Sequence, residues 1–84
     1  MSQELSTREA FDEALRRGCP IVITDISRPA HYHPSAQSCD HVTIEGFTEK
    51  VLVNGGKNGK YYSVGSRTEA EQRWPSLSDC WGWT

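Results

Sequence analysis

"IVITDI" (residues 21–26) is the stretch on which the fold turns. Five of its six side chains are β-branched, and such residues fit a pleated surface better than a helix. A short apolar run of this kind predicts a strand buried on at least one face and central to a sheet. Pro20 precedes it and bars any helix from running into it. Upstream, Ser6 followed by Glu9 has the spacing of a capping box, so a helix is expected over 6–17. Phe11, Ala14 and Leu15 fall on one face of that helix, Arg16 and Arg17 suit its negative end, and Gly18 can take the left-handed conformation that stops it.

Downstream, residues 27–40 contain Pro29 and Pro34 among polar residues and read as a loop. "HVTIEGF" (41–47) and "EKVLVN" (49–54) alternate apolar and polar positions, which predicts two strands with Gly46 as a bulge between them. "NGGKNGK" (54–60) reads as a turn and "YYSV" (61–64) as a returning strand, so 41–64 is expected to be a β-meander. Ser66 and Glu69 repeat the capping-box spacing, which predicts a short helix over 66–74 that Pro75 ends. An aromatic tail, 75–84, follows. The expected fold class is α+β, an N-terminal helix packed on a small antiparallel β-sheet with a short second helix after the last hairpin. One core of Phe11, Leu15, Ile21, Ile23, Val42, Ile44, Val51, Val53, Val64 and Trp74 is anticipated.

With 84 residues the chain reads as one small domain, 1–84. So short a chain has a thin hydrophobic core, for which an additional staple is useful. A net charge of −2 from mixed residues excludes a surface that is wholly a nucleic-acid footprint and leaves room only for a local basic patch. No basic segment followed by an apolar core opens the chain, and no apolar run approaches the roughly 20 residues a membrane span requires. A cytoplasmic protein without a membrane partner is therefore expected. The odd set Cys19, Cys39 and Cys80 points to metal ligation or simple burial rather than a disulfide framework. Nothing in the sequence fixes the oligomeric state.

"GGKNGKY" lacks the glycine spacing and the Ser or Thr of a phosphate-binding loop, and a turn accounts for it. All three histidines and one cysteine fall within "HYHPSAQSCDH" (31–41). Cys39 with His41 could form a thiol–imidazole pair, but no oxyanion donor or orienting group accompanies them, so catalysis is not the expected use. In an extended chain His31 and His33 share one face, as do Cys39 and His41, and imidazole with thiolate is a ligand mixture that zinc takes. The alternative is a set of solvated loop histidines.

The ordered set "HPSAQSC", "YYSVGSRTEAEQRW" and "SDCWGW" resembles small zinc-binding domains similar to the metal-binding module of the Ada DNA-repair proteins. The resemblance spans residues 31 to 83 and is densest from strand to helix. It implies a structural Zn2+ with His33, Cys39 and Cys80 as ligands. Where that group closes with a second cysteine this chain has Trp83, whose indole cannot ligate zinc. The resemblance thus implies either completion of the site by His31 or His41, or a metal replaced by aromatic packing. The ligand set carried forward is His33, Cys39, His41 and Cys80.

Lys57, Lys60, Tyr61, Arg67 and Arg73, with Tyr62 and Trp74 among them, form a basic and aromatic group able to meet a partner. Cations beside rings can grip phosphates and stack bases. Glu45, Glu49, Glu69 and Glu71 lie close in sequence and weaken such a field, which favours the rings as core. The expected function is a non-catalytic binding module, zinc-stapled in one version, that docks on a protein or, through this patch, on nucleic acid. A phage or mobile-element inhibitor acting by surface occlusion and a small Cys/His-dependent enzyme or accessory are the alternatives.

Overall fold

Ile21, Val22 and Ile23 form the middle strand of a five-stranded sheet in the computed structural model, which describes residues 2–26, 29–35 and 42–79. In chain order the elements are β1 (Gln3–Leu5), α1 (Arg8–Arg17), β2 (Ile21–Ile23), β3 (His31–His33), α2 (Ile44–Phe47), a π-helical segment (Thr48–Val53), β4 (Tyr61–Ser63), α3 (Arg67–Arg73) and β5 (Ser78–Asp79). The strand order is β1-β4-β2-β3-β5; the first four are antiparallel and β5 joins β3 in parallel. The class is α+β, with α1 packed on the sheet and α3 following β4, as the sequence leads one to expect.

Side chains alternate across each strand, and that alternation divides the core between two faces. On the first face Ile21 and Ile23 meet Leu5, Phe11, Ala14, Val42, Phe47 and Tyr61. On the second face Val22 meets Ala30, Tyr32, Tyr62, Val64 and Ala70, with Trp74 and Leu77 against them. The single core anticipated from periodicity is therefore two, because Val64 and Trp74 belong to the α3 side. Val53, placed in that core by its spacing, is 73 % exposed.

Four local expectations are corrected. Thr7 rather than Ser6 caps α1, its hydroxyl accepting from the Ala10 amide at 3.1 Å; Gly18 ends the helix with φ +65°, as read. The strand expected over 21–26 stops at Ile23. Beyond it, Thr24 N–H donates to the Lys60 carbonyl (2.9 Å), Thr24 Oγ1 accepts from Lys60 N–H (2.8 Å), and Ile26 N–H donates to the Asn58 carbonyl (3.1 Å). The expected loop contains β3, which pairs antiparallel with β2. Residues 29–33 contribute Ala30, His31, Tyr32 and His33 to the interior.

The largest correction concerns the β-meander expected over 41–64. Thr43 accepts from the Gly46 amide at 3.0 Å and starts α2, which continues without a break in the chain into the π-helical segment. Ile44, Phe47 and Val51 lie three and four apart, and this helical stripe packs against the first core. It outweighs the two-residue alternation, because the stripe buries Phe47 wholly and stacks it on Phe11 at 4.4 Å between centroids. Gly46 sits inside α2 and is no bulge. Asn54 N–H donates to the Glu49 carbonyl five residues back at 3.0 Å, the wide turn of a π-helix.

Candidate functional site

Of the metal ligands anticipated from sequence, Cys39, His41 and Cys80 lie outside the described residues, as do Trp81 and Trp83. His33 is described and lies on β3 rather than in a loop. Register places His33 opposite Ile21 and His31 opposite Ile23, so both imidazoles share the first face of the sheet. His31 Nδ1 and His33 Nε2 are both shielded from solvent. On the other edge of β3, Ser78 is paired with His31. A buried, strand-held imidazole pair is chemically suited to a zinc ligand set, yet among the described residues no three His, Cys, Asp or Glu side chains come together as one.

The basic and aromatic group is divided by the sheet. Tyr61 is 3 % exposed and lies on the first face, edge-on to Phe11 (5.9 Å) and Phe47 (5.3 Å). Arg67 and Arg73 lie on the second face. The Arg67 guanidinium covers the Tyr32 ring at 5.4 Å and faces Glu71 at 3.7 Å. Arg73 covers Tyr62 at 4.6 Å and Trp74 at 5.0 Å and donates to Ser2 Oγ at 2.6 Å. Both arginines thus cap their own rings, each such contact contributing on the order of 0.5–1 kcal/mol at an exposed site. Lys60 faces Glu4 at 3.7 Å, and Lys57 is exposed on the turn. Tyr61 is therefore on the opposite face of the sheet from Arg67 and Arg73.

What sequence reading missed is a polar cleft of about 360 Å³ where the end of β2, the π-helical segment and the 54–60 turn meet. Asp25, Glu49, Lys50, Asn54, Asn58 and Tyr61 line it. Lys50 Nζ donates to the Thr24 carbonyl (3.1 Å) and to Asp25 Oδ2 (3.2 Å), and this pair is largely withdrawn from water. Gly46 makes room for the tyrosine: a Cβ there would stand 2.9 Å from the Tyr61 hydroxyl. Burial pushes the Tyr61 phenol up to about 12, so it stays protonated at neutral pH. The lining residues are separated by 25 and 36 positions from Asp25 to Lys50 and Tyr61, and no local motif announces them.

Exposed large hydrophobics neighbour two of the cleft residues along the chain. Ile26 is 76 % exposed and adjoins Asp25, while Val53, with Leu52 at 44 %, adjoins Asn54. Glu45, Glu49 and Val53 also share a shallow groove with Arg8 and Ile44. No helix among the described residues is long and apolar enough to cross a membrane. No protein-family model matches the chain, and no curated protein or solved structure matches it.

Proposed function

We propose that this chain is a non-catalytic binding module that docks on a protein partner through the end of the molecule carrying Ile26, Leu52 and Val53. The supporting observations are the exposure of these three side chains, the bond from Ile26 N–H to the carbonyl of the cleft residue Asn58, and the groove that Val53 shares with the cleft residue Glu49. Exposed apolar residues grouped around polar ones are what a partner's hydrophobic anchors require. Surface occlusion of the kind a phage or mobile-element inhibitor performs is one version of this reading. Nucleic acid is a weaker fit, because Arg67 and Arg73 spend their planar faces on Tyr32, Tyr62 and Trp74. Cys19 lines a pocket with Gln3, Leu5, Ala10, Glu13, Ala14, Arg17 and Ser63, a set without a histidine to activate its thiol.

A structural zinc belongs to the same proposal, with His33, Cys39, His41 and Cys80 as the ligands. The support is the Ada-like resemblance together with the wholly buried His33 imidazole. Cys80 is the residue after β5, and a bond from it to the 33–41 stretch would hold the aromatic tail to the sheet edge. Zinc there would be a staple, supplying folding free energy and no reaction.

The docking reading is tested by changing Ile26→Glu with Val53→Glu, both on exposed side chains, and comparing chemical cross-linking to co-purifying proteins with that of the unchanged chain. Loss of a discrete cross-linked partner in a variant that melts normally is the expected result. An unaltered set of cross-links would remove the assignment of this surface.

A further inference from the structure

We infer that the cleft between Asp25 and Tyr61 is an anchor pocket for an arginine side chain of the docking partner. The inference rests on the docking reading and names the chemistry at its centre.

Charge comes first. Asp25 and Lys50 neutralise each other at 3.2 Å, and the Lys50 ammonium is further engaged by the Thr24 carbonyl. Glu49, on the wall of the same cleft, has no salt-bridge partner among the described residues. The lining therefore carries a net charge of −1 from Asp25, Glu49 and Lys50, which favours a cation and disfavours a carboxylate or phosphate.

Hydrogen-bonding capacity points the same way. Tyr61 is 3 % exposed, yet it lines the cleft, and among the described residues its hydroxyl has no hydrogen-bond partner. The hydroxyl at the end of this buried ring is thus available to a side chain that enters the cleft. Asn54 and Asn58 stand on the same lining, and a carboxamide oxygen is a further acceptor that each can offer. A planar guanidinium presents five N–H donors, so it can address a carboxylate, amide oxygens and a phenol oxygen together, which the compact three-donor ammonium of lysine does less well. The approximately 360 Å³ of the cleft admits such a side chain, and Ile23 on its lining offers apolar surface to the methylene stem.

The test uses the intact protein and blocked amino acids as probes: N-acetyl-L-arginine amide, its lysine counterpart and its neutral glutamine counterpart. Amide chemical shifts of Gly46, Asn54 and Asn58 are followed by NMR up to about 10 mM probe, a range suited to a single side chain. The arginine probe should shift these amides with a dissociation constant in the millimolar range. Glu49→Gln, an exposed change, and Tyr61→Phe, which keeps the buried ring, should each weaken it by about three- to tenfold, with the fold verified by unperturbed amides in β1 and α3. Absence of shifts with the arginine probe, equal shifts with the lysine or glutamine probe, or indifference to both substitutions would overturn the inference. Cross-linking through Ile26 and Val53 that persists without arginine binding would remove this pocket while leaving the docking surface standing.

Discussion

Gly59→Ala and Gly55→Ala make the same chemical change four residues apart in one turn, and the structure separates them sharply. At Gly59, φ is +152°, and a Cβ would stand 2.0 Å from the Thr24 carbonyl oxygen and 2.8 Å from its carbon. Both are backbone atoms, so no side chain can swing away. Relief requires the 58–60 stretch to move off Thr24, which opens bonds such as Thr24 N–H to the Lys60 carbonyl (2.9 Å) and Ile26 N–H to the Asn58 carbonyl (3.1 Å). Two lost bonds cost about 2 kcal/mol, and a non-glycine residue held in this backbone region costs roughly 1–3 kcal/mol. Gly59→Ala should therefore destabilise by about 3–5 kcal/mol, against a total of roughly 4–13 kcal/mol for a domain of this length. At Gly55, φ is +65° and a Cβ meets nothing within 4 Å, so only the left-handed backbone cost of about 1–2 kcal/mol applies. Urea unfolding followed by tryptophan fluorescence measures both. Equal losses for the two variants, or a loss under about 1 kcal/mol for Gly59→Ala, would refute the close approach of the turn to β2.

Phe47→Ala should cost about 3–5 kcal/mol in the same assay, because the ring is wholly buried and stacked on Phe11; a loss within experimental error would return this residue to a surface strand. In alkali, the Tyr61 phenol ionises near 12 in the folded chain but near its ordinary 10 when unfolded. The unfolded chain then loses its proton first, so this contribution is complete below pH 10 and is lost as pH rises toward 12. Phenolate absorbance should show one late-titrating tyrosine that Tyr61→Phe removes. For the zinc proposal, native mass spectrometry of freshly purified protein should find one zinc per chain, and a chelator should lower the melting temperature; identical melting of a metal-free protein with and without chelator would remove the staple.

Where one periodicity stood alone, the sequence was legible. The β-branched run at 21–23 is the central strand, and Phe11 with Ala14 marks the buried face of α1. Between 42 and 53 two periodicities coexist. Val42 with Ile44 and Val51 with Val53 alternate like a strand, while Ile44, Phe47 and Val51 step like a helix, and only the packing of Phe47 on Phe11 and Tyr61 decides between them. β3 was hidden by its three-residue length and by Pro29 and Pro34 on either side, since its strand state comes from pairing with β2 rather than from local preference. His33 stood out by residue type, but its buried place on a strand could not be read from the chain. The cleft was invisible for a different reason: residues 25, 50 and 61 meet only after α2, the π-helical segment and β4 are in place.

The docking surface is tested most directly by site-specific photocross-linking in cells of the source organism, with Val53 replaced by a benzophenone-bearing residue and Glu71, exposed on α3 at the second face, replaced in a parallel chain. A discrete adduct of one defined mass from position 53, and none of that mass from position 71, is the expected result. No adduct from position 53, or the same adducts from both positions, would contradict the assignment of the Ile26 and Val53 end as the face that meets a partner.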